Sequence, residues 1–161
     1  MSTQSAVIVL HDQETDSIVL TKRSAHLNHH PGEICFPGGR WEAQDSSLWF
    51  TALRELKEEL AIDSTRVQLI DHLQPEITLN NVIIYPWLAS IANIKPYAMN
   101  KNEVDEVILL PMQEVKKMDN YCSIFLEKNG RSFESCRYIP GNYFVWGATA
   151  RIMKQLTQNL F

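Results

Sequence analysis

Three glutamates, Glu55, Glu58 and Glu59, occupy positions i, i+3 and i+4 of one short segment. At about 100° of rotation per residue, a helix gathers all three into one narrow sector. Like charges at this spacing repel one another and destabilise a helix in water. Magnesium removes that repulsion, because it takes one or two carboxylates and completes its shell with phosphate oxygens and water. By itself such a segment is more often a solvated amphipathic helix, so the metal-site interpretation needs support from other residues.

The helix that must carry these carboxylates also has an apolar sector. Leu53, Leu56 and Leu60 lie roughly 130° from the glutamates and can face a core. Ser46 or Ser47 can cap the start of the helix, because a serine hydroxyl accepts a hydrogen bond from a backbone N–H of the first turn. The pattern predicts an amphipathic helix that runs to about Leu60, with core contacts on one side and carboxylates on another.

A glycine turn, Phe36-Pro37-Gly38-Gly39, precedes this helix, and the two together resemble the signature of the Nudix hydrolases. That signature runs from a glycine through an acidic residue to Arg-Glu-apolar-X-Glu-Glu-X-Gly-apolar. The matching residues are Gly39, Asp45, Arg54, Glu55, Leu56, Glu58, Glu59 and Ile62. Asp45 stands where glutamate is usual, Ala61 replaces the late glycine, and the spacer before Arg54 is longer than the general pattern. The metal-ligand positions are intact, and the resemblance extends over residues 6–158.

The resemblance implies an α/β fold, the Nudix-type alpha/beta/alpha sandwich with a mixed central sheet, formed by residues 1–161 as a single domain. It also implies a metal-dependent diphosphatase in which water attacks a phosphorus of a diphosphate with Mg²⁺ or Mn²⁺ bound. Glu58 and Glu59 are then metal ligands, and Glu55 is a ligand or the general base. Arg54 belongs to the same catalytic group and orients a carboxylate.

Further ligands are implied outside the helix. Gly39 lacks a Cβ atom, so its backbone carbonyl can approach a metal, although a turn with positive φ explains a glycine equally well. Nudix enzymes often recruit one more carboxylate, and Glu103 or Glu106 can supply it. Glu103 matches the family pattern slightly better, so it joins the expected metal ligands.

A second block narrows the resemblance within the family. Residues 20–39 read LTKRSAHLNHHPGEICFPGG and look like the extended motif of the coenzyme A pyrophosphatase branch, as do segments 102–107 and 146–150. This implies cleavage of coenzyme A or its derivatives to 4′-phosphopantetheine and adenosine 3′,5′-bisphosphate. Residues 78–81 depart from the serine-glycine pair of the branch. Hydrolysis of ADP-ribose or a dinucleotide is therefore an alternative, and a catalytically silent domain that binds nucleotides or a protein is a third.

Arg23, Ser24 and His30 fall in this block, and the resemblance implies that they contact the substrate. The paired donors of a guanidinium suit the diphosphate or the 3′-phosphate of coenzyme A. Arg23 ends a predicted strand, where basic residues are often simply solvated. Arg40 is a further candidate for substrate binding, and the only reason for it is that it follows the glycine turn directly.

Composition limits the number of domains, the class of partner and the compartment that can be expected for this chain. The chain has 161 residues, 45% of them hydrophobic, which suffices for one core. A net charge of −4 argues against a nucleic-acid partner, which would need a basic face. The apolar run 82–89 contains Pro86 and is too short to span a bilayer, and no signal peptide is visible. Three cysteines without a close pair indicate reduced thiols in a cytoplasmic protein. If the chain associates, a two-fold homodimer is the expected form.

Hydrophobic alternation predicts strands that interleave with helices. The predicted strands are 6–10, 17–21, 34–36, 67–72, 82–90, 104–110, 124–126 and 132–138. The last two should form a hairpin across Lys128-Asn129-Gly130, because Asn-Gly is a strong turn signal. Pro111 can open a short helix through Lys117 or Met118. A C-terminal helix is predicted from apolar residues at helical spacing, namely Trp146, Ala150, Met153, Leu156 and Leu160.

Overall fold

The computed structural model describes residues 3–158, which contain β-strands, α-helices and short 3₁₀ turns. The strands are β1 Thr3–Asp12, β2 Ser17–Arg23, β3 Ile34–Cys35, β4 Gly38–Arg40, β5 Val67–His72, β6 Glu76–Ile77, β7 Val82–Ile91, β8 Val104–Pro111, β9 Tyr121–Lys128, β10 Arg131–Tyr138 and β11 Val145–Trp146. The helices are α1 Leu48–Leu60, α2 Met112–Val115 and α3 Gly147–Lys154.

Within residues 3–158, eight strands form a mixed sheet with β1 near its centre. Strand β1 runs parallel to β7 and antiparallel to β2 and β4. Strand β2 in turn pairs with β3 and β8, and β7 pairs with β5 and β6, all antiparallel. The remaining strands β9, β10 and β11 make a small antiparallel sheet of their own. A mixed central sheet, as predicted, is therefore confirmed.

Alternating side chains of β1 enter two separate apolar clusters, because successive residues of a strand point to opposite faces. Ala6, Ile8 and Leu10 are fully buried with Leu56 of α1. Val9 belongs to the other cluster, which includes residues of α3 and of the small sheet. Both faces of the central sheet are thus covered, which gives the expected sandwich. The layer opposite α1 also contains the small sheet, in which the predicted hairpin of β9 and β10 pairs with the unpredicted strand β11.

Helix α1 has the limits that its sequence predicts. Ser47 is the N-cap, and its Oγ accepts a hydrogen bond of 3.1 Å from the Phe50 N–H. The helix ends at Ala61, whose φ of 56° places it in the left-handed region and whose N–H donates to the Lys57 carbonyl. That conformation favours glycine, which explains why the Nudix signature has a glycine at this position.

Several predicted limits differ from the structure. Helix α2 covers only Met112–Val115, because the chain turns into a 3₁₀ segment before β9. Helix α3 ends at Lys154 and continues as a 3₁₀ turn to Gln158, so Leu160 lies outside the described residues. The sequence did not predict strands β4, β6 and β11, because a strand of two or three residues is too short to show an alternation of apolar and polar side chains. None of the helices in residues 3–158 has the length and apolar content needed to cross a bilayer.

We expect Leu56→Ala to lower the free energy of unfolding by about 2–5 kcal/mol, because Leu56 is fully buried between α1 and the sheet. Urea denaturation of the two proteins measures this difference. Leu109→Ala is the matched control, because Leu109 on β8 is 36% exposed. Equal losses in both variants would contradict the assigned core.

Candidate active site

The glycine turn holds two carboxylates of α1 close to the central sheet. Glu59 is only 7% exposed, and its Oε1 accepts a hydrogen bond of 3.3 Å from the Gly38 N–H. Gly39 lies against Glu55 so closely that a Cβ atom there would stand 2.5 Å from the Glu55 Cδ. A Cβ on Gly38 would stand 2.3 Å from the Ala6 carbonyl oxygen of β1. Only glycines allow strand β4 to bring these two carboxylates against the sheet.

Burial and mutual repulsion make these carboxylates hard to ionise. Burial is the main cause that raises the pKa of Glu59 to about 8, and the charges on Glu55 and Glu103 add to it. Burial likewise raises the pKa of Glu55 to about 7, with further contributions from Glu58 and Glu103. The Gly38 N–H and the Arg23 charge act in the opposite direction on Glu59. Full ionisation of this group would therefore concentrate negative charge in a poorly solvated place.

Glu103 completes this group from a different part of the chain. Its Oε2 is buried and has no hydrogen-bond partner among the described residues. Its backbone carbonyl accepts a hydrogen bond of 2.9 Å from the Ser24 N–H, which fixes the residue beside the end of β2. A buried carboxylate oxygen normally has a hydrogen-bond partner. The unpaired oxygen of Glu103, in the same group as Glu55 and Glu59, is therefore consistent with a cation ligand.

A bulge in the β2–β8 ladder separates Glu103 from Glu106. Lys22 pairs with Glu106, but Arg23 pairs with Val104, so Asp105 is an extra residue on β8. Such bulges redirect side chains. Glu106 accepts a hydrogen bond from the Tyr143 hydroxyl instead of joining the other carboxylates. Of the two candidates for the additional ligand, Glu103 has the better placement.

Arg54 connects the remaining members of the Nudix signature. Its Nε and Nη2 donate to the two oxygens of Asp45 at 2.8 and 3.0 Å. Its Nη1 donates to Glu55 Oε1 at 3.0 Å and to Glu58 Oε1 at 3.3 Å, and Nη2 also donates to the Arg40 carbonyl. The guanidinium therefore orients Glu55 and Glu58 while it holds α1 to the chain that follows β4.

The Asp45 side chain is fully buried and completely satisfied. Besides Arg54, it accepts a hydrogen bond of 2.8 Å from the Thr51 hydroxyl and one of 3.0 Å from the Glu42 N–H. The hydrogen bonds from Arg54 are the main cause that holds the pKa of Asp45 well below its usual range. Asp45, which stands where the Nudix signature usually has glutamate, therefore has hydrogen-bond partners for both of its carboxylate oxygens.

These residues fit a divalent cation. Glu55, Glu58, Glu59 and Glu103, with the Gly39 carbonyl, are the groups that would hold it, and all are hard oxygen donors of the kind that magnesium and manganese prefer. Within residues 3–158, no three His, Cys, Asp or Glu side chains form a ready-made cage. Magnesium sites commonly lack one, since water and substrate phosphates supply the other ligands. A bound cation neutralises charge on a diphosphate and lowers the pKa of a water nucleophile.

Arg23 lies near the carboxylates, as the charge that it exerts on Glu59 shows. Its Nε and Nη2 both donate to the His29 carbonyl, at 3.2 and 3.1 Å, which closes the loop between β2 and β3. Arg23 therefore has a loop-closing role in addition to the substrate contact that the sequence predicts.

The other predicted substrate-binding residues have different surroundings. Ser24 is fully buried, and its Oγ accepts a hydrogen bond from the His26 N–H within the loop. His30 is exposed and has a φ of 51°, and its Nδ1 lies 3.2 Å from Glu33 Oε2. Arg40 is exposed, and its backbone carbonyl accepts a hydrogen bond from Arg54 Nη2. The structure does not bring these three side chains together around the carboxylates, and their contact with a substrate stays a prediction.

Comparison with known proteins identifies the family. A model of the NUDIX domain matches residues 1–124. The chain is 33% identical over 154 residues to a protein of Enterobacter sp. (strain 638) named Uncharacterized Nudix hydrolase NudL, a match that covers 95% of this chain and 80% of that protein. A protein of the same name from Yersinia enterocolitica is 31% identical over 144 residues, which cover 89% of this chain and 74% of that one.

Solved structures support the fold. The binary complex of Ap4A hydrolase from C. elegans superposes with a TM-score of 0.57 at 18% identity, over 68% of this chain and 80% of that one. The MutT protein from Methanosarcina mazei Go1 gives a TM-score of 0.55 at 16% identity, over 71% of this chain and 80% of that one. At these identities the likeness concerns the fold alone.

We expect Glu59→Gln to reduce kcat roughly 10²-fold or more with Mg²⁺ or Mn²⁺, because the substitution removes one of the carboxylates that would hold the cation. The fold should persist, since the raised pKa of Glu59 already favours its neutral form. Steady-state kinetics and thermal melting measure the two effects. The control is Glu127→Gln, at an exposed position of β9. Full metal-dependent turnover of Glu59→Gln would overturn the assignment.

We expect Asp45→Asn to lower the free energy of unfolding by about 2 kcal/mol at pH 7, because it removes charge-assisted hydrogen bonds to Arg54. Since the folded pKa of Asp45 is depressed, its stabilising effect is present above its ordinary value of 3.8 and is lost as the pH falls through the folded value. The difference from wild type should therefore narrow below about pH 4.

Urea denaturation at pH 7 and pH 3 measures the effect of Asp45→Asn. The matched control is Asp119→Asn, at an exposed position of a 3₁₀ turn. A difference between Asp45→Asn and wild type that is equal at both pH values would show that the Asp45 charge does not supply the stabilisation.

Proposed function

This chain belongs to the Nudix hydrolase family and is a pyrophosphohydrolase, and from that premise we propose that its substrate is coenzyme A or a derivative of it. Water attacks a phosphorus of the diphosphate, the bridging P–O bond breaks, and the products are 4′-phosphopantetheine and adenosine 3′,5′-bisphosphate. Mg²⁺ or Mn²⁺ is the proposed cofactor. The relatives named NudL support the family and the general reaction, and the motif in residues 20–39 supports the coenzyme A branch.

The observation that carries this proposal is that Arg23, a residue of the branch motif, is close enough to Glu59 for its charge to lower the pKa of that carboxyl. Residues 20–39 include the end of β2, the loop to β3 and the glycine turn, so the branch motif contributes both Arg23 and Gly38 to the surroundings of Glu59. Its Arg23 charge reaches Glu59, and its Gly38 N–H bonds to the same carboxylate. One guanidinium beside this cluster offers paired donors to a diphosphate that a cation also binds.

The residue roles follow as proposals. Glu58 and Glu59 are metal ligands, Glu55 is a ligand or the proton acceptor of the attacking water, and Glu103 is the added carboxylate. The carbonyl of Gly39 is a further ligand. Arg54 is the positioning residue for Glu55 and Glu58, through the hydrogen bonds that it donates to both.

Another diphosphate substrate, such as ADP-ribose or a dinucleotide, is the second candidate. Residues 78–81 form an exposed turn between β6 and β7, and their sequence departs from the coenzyme A branch. Loops such as this one commonly decide substrate choice. A product-resolved assay of coenzyme A, acyl-coenzyme A, ADP-ribose and diadenosine polyphosphates, each with Mg²⁺ and with Mn²⁺, distinguishes the candidates. Preferred cleavage of ADP-ribose or a dinucleotide would contradict the coenzyme A assignment.

We also propose that residues 1–161 act as one domain in the cytoplasm. Both apolar clusters share the strands of one sheet, which favours a single folding unit. Cys35, Cys122 and Cys136 are all free thiols, in keeping with a reducing compartment.

We expect Arg23→Gln to raise KM about tenfold for both coenzyme A and 3′-dephospho-coenzyme A, because the proposed role of this guanidinium is to bind the reacting diphosphate. Arg23→Lys keeps the positive charge but loses the paired donors of the guanidinium. Its KM should therefore lie between the KM values of wild type and Arg23→Gln. The matched control is Arg131→Gln, at the exposed start of β10. An effect confined to coenzyme A would assign Arg23 to the 3′-phosphate instead, and no effect on either substrate would remove its binding role.

A further inference from the structure

A cavity of about 260 Å³ lies at the same end of β2, on the face away from α1. Its walls include Lys22, Ile34, Asn142, Tyr143, Phe144 and Trp146. Lys22 shares a strand face with Ile18 and Leu20, which belong to the cluster under α3. None of the catalytic carboxylates lines this cavity, so it is a separate feature of the molecule.

Aromatic rings form one wall of the cavity. The rings of Phe144 and Trp146 stack with centroids 6.1 Å apart and an interplanar angle of 28°. The guanidinium of Arg137 lies 5.1 Å from the centroid of Phe144, and the Tyr143 hydroxyl donates to Glu106 of β8. The contacts with Arg137 and Glu106 therefore hold the rings of Phe144 and Tyr143 in place. Phe144 nevertheless keeps 47% of its surface exposed.

The cavity and the carboxylates are connected through adjacent residues of β2. Arg23 exerts its charge on Glu59, whereas Lys22, the residue before it, lines the cavity. The bulge in the β2–β8 ladder falls between these two residues. On the facing side of the ladder, the bulge at Asp105 lies between Glu103, which precedes β8, and Glu106, which accepts a hydrogen bond from Tyr143. Lys22 and Arg23 are thus consecutive cationic residues at the end of β2, the first lining the cavity and the second acting on the carboxylate group.

We propose that this cavity binds the adenine ring of the substrate and that the Lys22 ammonium contacts the phosphate on the adjoining ribose. The inference rests on the proposed function, which supplies a substrate with adenine and a 3′-phosphate. The cavity is smaller than the 300–1,000 Å³ typical of whole-ligand pockets, so it suits one part of the substrate. Stacked rings favour a flat aromatic base over the flexible pantetheine arm.

Binding of product fragments tests the proposal without catalysis. Isothermal titration calorimetry should show that Phe144→Leu weakens adenosine 5′-monophosphate and adenosine 3′,5′-bisphosphate by about tenfold, in line with the loss of one stacking ring. It should leave 4′-phosphopantetheine within about twofold. Phe144→Trp keeps an aromatic face and should restore nucleotide binding. Phe125→Leu is the matched control, because Phe125 is 74% exposed on β9, away from the cavity.

Lys22→Met separates the phosphate contact from the ring contact. It should weaken adenosine 3′,5′-bisphosphate about tenfold and change adenosine 5′-monophosphate by less than about twofold, because only the first carries a 3′-phosphate. Lys95→Met, at an exposed loop position, is the control. Equal weakening of both nucleotides, or of neither, overturns the role of Lys22.

The outcomes separate this inference from the proposed function. If the wild-type protein does not cleave coenzyme A but binds both nucleotides in a Phe144-dependent way, the proposed function fails and the adenine site stands. If coenzyme A is cleaved while Phe144→Leu binds nucleotides as tightly as wild type, the adenine site is overturned. Loss of 4′-phosphopantetheine binding in Phe144→Leu, or no nucleotide binding by wild type at millimolar concentration, also overturns it.

Discussion

The mutual repulsion of Glu55, Glu59 and Glu103 in a poorly solvated place is the constraint around which this molecule is arranged. Burial and neighbouring charge raise the pKa values of the first two to about 7 and about 8, and an oxygen of the third is buried without a partner among the described residues. Such an arrangement destabilises the protein by itself. A divalent cation reverses the sign of the interaction, so the same crowding becomes a binding site for a metal and its phosphate ligand.

The rest of the fold keeps these carboxylates from moving apart. Strand β4 places Gly38 and Gly39 so near α1 that a side chain on either would collide with β1 or with a carboxylate. Arg54 holds the exposed side of α1 through its paired hydrogen bonds to the buried Asp45. The bulge between β2 and β8 then directs Glu103 to the carboxylates. Residues from β4, from α1 and from the segment before β8 thus meet at one place.

Local signals predicted helix α1 and the main strands. The Ser47 cap and the leucine spacing defined α1, and the Asn129-Gly130 turn, with positive φ at both residues, defined the β9–β10 hairpin. The glutamate spacing and the family signature indicated the candidate metal site. The bulge at Asp105 was not predictable, because it depends on the register between two distant strands. The hydrogen bond from Tyr143 to Glu106, across 37 residues, leaves no local pattern either.

Manganese scatters X-rays anomalously, so a crystal of the protein with Mn²⁺ and a non-hydrolysable diphosphate analogue locates the cation directly. The account predicts an anomalous peak within bonding distance of carboxylate oxygens from α1, with phosphate oxygens of the analogue in the same coordination shell. Well-ordered carboxylates that point apart into solvent, with the analogue bound and no manganese beside them, would contradict it.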